Sequence, residues 1–142
     1  MKYFAKLDLS NKVIDTFVVD DSDVNNYGGD QSQEAVNHIK SFLKIKNNIV
    51  QYSIDGSFRQ RTASIDGSYD SNKNVFINEK PYPSWTLDSN NEWQAPIAYP
   101  TITTNMGILW DEVNQRWLGE EYTEQGLVNK IWNTNTLSWD NA

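Results

Sequence analysis

The sequence predicts a mostly β protein, a meander of antiparallel hairpins with aromatic cross-strand pairs and one helix near residues 31–46. Three observations carry that expectation. Pairs of large apolar residues stand seven positions apart around polar, turn-prone stretches; only one segment repeats its apolar residues at a helical period; and the four prolines all fall between residues 81 and 100.

The first hairpin lies in "LDLSNKVI" (7–14). Gly28 and Gly29 separate it from "DQSQEAVNHIKSFLKIK", where Asp30 or Ser32 serves as N-cap and Ala35, Val36, Ile39, Phe42 and Leu43 form one apolar stripe. "SIDGSF" (53–58) and "SIDGSY" (64–69) echo each other, and Asp-Gly marks a turn in both. In "YDSNKNVF", "WDEVNQRW" and "WNTNTLSW" the spacing fits a hairpin with a two-residue loop. It predicts the opposed pairs Tyr69 with Phe76, Trp110 with Trp117, and Trp132 with Trp139. "WTLDSNNEW" has a spacing of eight, which predicts Trp85 opposite Trp93 across the loop Asp88-Ser89-Asn90, with Asn90 left-handed. Pro81, Pro83, Pro96 and Pro100 cannot donate to a central ladder, so 80–84 and 95–101 are extended connections or edges. The organisation expected is 1–57, a hairpin plus helix, and 58–142, tandem aromatic hairpins, within one compact domain.

Composition excludes several functions. The chain has no cysteine, so disulfides and thiolate chemistry are unavailable. Nineteen acidic residues against twelve basic ones give a net charge of −7, which disfavours a nucleic-acid partner. Lys40, Lys44, Lys46, Arg59 and Arg61 read as a solvated face. No apolar run is long enough for a membrane span, and the N-terminus is broken by charges before a secretory core forms, so the chain is expected to be made in the cytoplasm. His38 is the only histidine and lies on the flank of the helical stripe beside Phe42, which suits a hydrogen-bonded helix residue better than a catalytic base. "DSNKNVFINE" starts like a calcium loop, but Val75 and Pro81 stand where glycine and a bidentate glutamate are needed. Asp111-Glu112 and Glu120-Glu121 alternate faces on a strand and read as solvated charge rather than a glycosidase pair. No cofactor, metal site or catalytic residue is expected.

What remains is an excess of aromatic residues, six of them tryptophan. Aromatic hairpin pairs ordinarily pack; the alternative is a face on which sugar rings stack. The run "KPYPSWTLD", then "W", "P-x-x-YP" and "LWDEVNQRW", resembles a signature of small virion structural proteins from marine tailed bacteriophages, the T4-like cyanophages and their relatives. "YFAKLDLSNKVIDTFVVDD" and "FRQRTASIDGSYDSNKNVFI" are similar to that family's opening and middle segments, whereas 31–57 and 119–142 depart from it. The resemblance implies a non-enzymatic virion component, a capsid decoration or tail-associated protein. Its partners are other virion proteins, the major capsid or tail proteins, or further copies of itself. Tyr82, Trp85, Trp93, Tyr99, Trp110 and Trp117 are the candidate interface, and the first four, held by the proline-bearing segments, are expected to form one aromatic cluster that either closes the core or docks on a neighbouring virion protein. The absence of coiled-coil heptads and long repeats favours the head over fibres. The alternative function is a glycan-binding module or adhesin contacting the host envelope.

Overall fold

A computed structural model describes all 142 residues, and the chain divides into two compact units, Met1–Glu79 and Lys80–Ala142. The expected boundary at 57/58 is displaced to 79/80 because the Tyr69–Phe76 hairpin belongs to the first unit. Phe76 is only 1% exposed and packs with Ala5, Leu7, Val13 and Tyr52.

In the first unit β1 (Lys2–Leu7) lies between β2 (Val13–Val19) and β3 (Ile49–Tyr52), antiparallel to both. Side chains alternate between the two faces of such a sheet. Phe4, Phe17, Val19 and Ile49 share one face, covered by Val24 of the single-turn α1 (Ser22–Asn25) and by Ala35 and Ile39 of α2 (Gln33–Leu43). Ala5, Leu7, Val13 and Tyr52 share the other, covered by the hairpin of β4 (Ser68–Asp70) and β5 (Val75–Ile77). Neither helix is long and apolar enough to cross a membrane.

The helix is shorter than the sequence suggests. Ser32 is the N-cap, its Oγ accepting from the Ala35 amide at 3.1 Å, and Lys44 closes the far end in a left-handed conformation. Of the five-residue stripe, Ala35 and Ile39 are buried and Val36 packs beside them. Phe42 and Leu43 stay exposed; Phe42 stacks on His38, which stacks on Tyr27. The short α1 was not foreseen.

The two Ser-Ile-Asp-Gly segments are both four-residue turns, closed by Gly56 N–H to Ser53 O and Gly67 N–H to Ser64 O. They differ in which residue turns left-handed, Gly56 in the first and Asp66 in the second. At Gly67 a Cβ would sit 2.7 Å from the Ile77 carbonyl oxygen, so only glycine fits there.

The second unit contains a small hairpin, β6 (Thr86–Leu87) with β7 (Trp93–Gln94), and a meander of β8 (Met106–Asp111), β9 (Arg116–Thr123), β10 (Gly126–Asn133) and β11 (Ser138–Asn141). The three predicted pairs are in register: Tyr69 opposite Phe76, Trp110 opposite Trp117, Trp132 opposite Trp139. Their loops hold four residues rather than two, since the closing pairs are Asp70–Val75, Asp111–Arg116 and Asn133–Ser138. Both loop lengths are even, so the aromatic pairs keep the same face.

A side-chain device sets these loops. Asp70 Oδ1 accepts from the Asn72 and Lys73 amides, Asp111 Oδ1 from Asn114, and Asn133 Oδ1 from Asn135 and Thr136. Each loop then ends on a left-handed residue: Asn74, Gln115 and Leu137. In "LDLSNKV" and "LDSNNEW" the same capping by Asp8 and Asp88 closes a shorter loop, with the left-handed residue one position earlier, at Asn11 and Asn91. Leu7 therefore opposes Val13, and Trp93 opposes Leu87 rather than Trp85. The expected loop Asp88-Ser89-Asn90 is shifted by one residue because the Asp88 carboxylate caps the turn from outside it.

Candidate functional site

Register dictates what the four-stranded sheet presents. Trp110, Trp117, Trp132 and Trp139 fall on one face, where Trp110, Trp117 and Trp132 are 3%, 5% and 9% exposed. Trp110 and Trp117 meet edge to face at 5.1 Å, and Trp132 and Trp139 do so at 5.2 Å, the favoured geometry for aromatic pairs. Gly119 makes this possible at one point, since a Cβ there would lie 3.1 Å from the Trp139 ring.

The proline-bearing segments close over this face. Trp85 packs edge-on to Trp110 at 6.2 Å and to Trp117 at 6.0 Å, Tyr82 lies 5.6 Å from Trp85, and Tyr99 lies 5.3 Å from Trp117. Pro96 and Pro100 fall outside every strand and hold the chain between them irregular and extended. Carbonyls in and just after it accept indole protons: Trp117 Nε1 donates to Ile97 O at 3.0 Å and Trp139 Nε1 to Thr101 O at 2.8 Å. The Trp85 Nε1 proton is buried without a partner.

Glu112 locks the other end. Its carboxylate accepts from the Ser84 amide at 2.9 Å, the Ser84 hydroxyl at 2.7 Å and Trp110 Nε1 at 2.7 Å. Desolvation, the largest single influence, pushes this carboxyl up. The hydrogen bonds from Ser84 and Trp110, with the Lys80 charge, outweigh it and hold its pKa below the ordinary glutamate value. Glu112 is thus a structural anchor rather than solvated charge. Asp111 caps its hairpin and pairs with Arg116 at 3.0 Å, and Glu121 pairs with Lys130 at 3.2 Å.

The proposed interface residues separate accordingly. Trp110 and Trp117 are core, Tyr82 and Trp85 are half-buried lids upon it, and Tyr99 is 67% exposed. Trp93 stands opposite Leu87 with Lys80 Nζ 5.6 Å from its ring centroid. The anticipated Trp85–Trp93 opposition is absent, and Tyr82, Trp85 and Tyr99 gather around the Trp110–Trp117 pair instead. The expected solvated basic face dissolves at its arginines. Arg59 donates to Gln51 O at 2.7 Å and to Asn74 Oδ1 at 2.9 Å, and Arg61 is half-buried. His38 Nε2 lies 3.1 Å from Asp23 Oδ1, its ring stacked on Tyr27, a satisfied packing position.

Two surfaces escaped the sequence reading. On the opposite face of the four-stranded sheet, Leu109, Leu118 and Ile131 align across β8, β9 and β10, with Tyr122 opposite Leu127 further along. Leu109, Tyr122 and Leu127 are each more than half exposed. The strand alternation that places the tryptophans inward also places these residues outward, so the pattern was present once the register was fixed. The second surface is an open groove of about 450 Å³ lined by Ile97, Ala98, Tyr99, Thr101, Trp132, Thr134 and Leu137.

Fold and site together define a two-unit antiparallel β protein whose second unit is an aromatic-cored meander. No protein-family model, no curated protein and no solved structure matches the chain.

Proposed function

We propose that this protein is a non-enzymatic structural accessory of a tailed-bacteriophage particle, a capsid decoration or tail-associated protein that binds other virion proteins. The observation that carries the reading is the burial of Trp110, Trp117 and Trp132 as cross-strand core. A glycan-stacking sheet face would present these rings to solvent, whereas here they rigidify a small unit that has no disulfides. The resemblance of the segments 1–24 and 58–117 to marine-phage virion proteins supports the same reading.

Attachment then falls to the outward apolar row Leu109, Leu118 and Ile131 with Tyr122 and Leu127, rather than to the tryptophans. The Glu120–Asn129 pair lies between Leu118–Ile131 and Tyr122–Leu127 on this face, so apolar and polar groups alternate across it, and protein interfaces likewise mix the two. The test is to make the chain during phage infection, purify the particles and detect it by mass spectrometry. Parent protein should be retained in stoichiometric amount, and Leu109→Asp should melt normally but be lost from particles. Absence of the parent from purified particles overturns the structural role. Retention of Leu109→Asp moves the interface elsewhere.

A further inference from the structure

The groove beside Tyr99 has a composition that the structural role does not use. Its lining contains no charged side chain, although the unit around it carries eight acidic residues against Lys80, Arg116 and Lys130. Among its lining residues is Trp132, nine-tenths buried. The indoles of Trp110, Trp117 and Trp139 each donate a hydrogen bond within the chain; that of Trp132 donates none. An indole N–H is a donor only, and that of Trp132 is not among the buried polar atoms without a partner, so it is open to an acceptor that arrives from solvent. Tyr99 also lines it, two-thirds exposed yet held by its edge contact to Trp117 at 5.3 Å. Thr101 and Thr134 line the groove as well and bring hydroxyls to it, and the Thr101 carbonyl is fixed by the Trp139 indole.

From this arrangement we infer that the groove binds a neutral carbohydrate. A pyranose offers an apolar C–H face to a rigid aromatic ring and a rim of hydroxyls that both donate and accept, which matches one fixed tyrosine, one free indole donor and two threonine hydroxyls. The lack of lining charge disfavours phosphorylated, uronic or cationic ligands, because none of their charges finds a partner there. A proline-rich peptide also stacks on aromatic rings, but it presents acceptors only at backbone carbonyls and gives the threonine hydroxyls no matching donor at its prolines. The site is independent of attachment to a particle, since the outward row of Leu109, Leu118 and Ile131 lies on the opposite face of the sheet from Trp132.

The experiment is a titration of the intact ¹⁵N-labelled protein, following the indole Nε1–H resonances. The probes are hexasaccharides of neutral glucan, mannan, galactan and xylan type, with a hexauronate and octaproline as comparators. The expected result is a saturable shift of the Trp132 indole signal with at least one neutral hexasaccharide and none with the hexauronate. Tyr99→Ala should weaken that binding by about tenfold or more, and Thr134→Ala, at an exposed loop position, should weaken it with melting unchanged. Tyr99→Phe should retain it. No shift with any of the four neutral sugars, a shift only with octaproline, or a sugar response that survives Tyr99→Ala in a protein that still melts normally, each overturns the assignment.

Discussion

At the scale of single residues, the tryptophans differ in what happens to their polar atom. Trp117 Nε1 donates to Ile97 O and so ties the extended segment to the sheet, while the buried Trp85 Nε1 donates to nothing. Replacing either by phenylalanine loses a similar ring volume, but only Trp117→Phe leaves a partner carbonyl unpaired. An unsatisfied buried donor costs roughly 1–3 kcal/mol, which Trp85→Phe removes. Trp117→Phe should therefore lower the melting temperature clearly more than Trp85→Phe; equal losses would mean that the indole bonds contribute nothing. The left-handed loop residues give a second contrast. Leu137, at φ 52, is 71% exposed and a branched residue in a conformation that favours glycine or asparagine. Leu137→Gly relieves that strain at little cost in burial and should stabilise the second unit by roughly 0.5–1 kcal/mol in chemical denaturation, after the entropic penalty of glycine is subtracted.

At the scale of elements, the β8–β9 hairpin depends on one carboxylate. The Glu112 pKa is held below its ordinary value of 4.5, so the anionic form is the one that folding favours. Its contribution is complete above 4.5 and fades as pH falls through the depressed native value, when protonation weakens acceptance from Ser84 and Trp110. Acid unfolding followed by near-ultraviolet circular dichroism should show a stability loss below 4.5 that Glu112→Gln makes shallower, at the expense of lower stability at neutral pH. A parallel acid limb in parent and variant would assign the loss to other groups, such as Asp111, which the Asn114 side-chain hydrogen bond chiefly holds low. Much of this level was legible in the sequence. The spacing of seven located three aromatic pairs because any even loop preserves strand parity, and Ser32 followed by an apolar stripe located the helix. Loop lengths were not legible from that spacing. They follow from an Asp or Asn just before the loop and from where a left-handed residue is tolerated, and Gln115 and Leu137 do not advertise that conformation. The hairpin at Glu124-Gln125 between β9 and β10 lacks an aromatic pair and was missed for that reason. The site was less legible than the fold: large aromatics suggest a surface for binding, and only the register shows that three of the six tryptophans are interior while the leucines one position away face solvent.

At the scale of the whole molecule, the division at 79/80 gives the chain two compact units that join where the proline-bearing, acid-rich segment begins. The first core needs residues from β1, β2, β3 and the β4–β5 hairpin, with Phe76 at its centre beside Tyr52 and Tyr69, at ring separations of 6.1 and 5.2 Å. The second draws only on residues after Lys80. Truncating a fully buried phenylalanine costs roughly 3–5 kcal/mol, a large share of what a unit of this size holds. Phe76→Ala should therefore expose amides throughout the first unit to hydrogen exchange, including β1 and β3, which are distant in sequence. Protection in β8, β9 and β10 should stay at the level of the parent protein. Had the boundary lain at 57/58, the hairpin carrying Phe76 would share its fate with the tryptophan meander, and exchange would quicken there while β1–β3 held. Peptide-resolved exchange in the same sample distinguishes the two outcomes, and loss of protection spreading evenly over both halves would show that the chain folds as one cooperative unit.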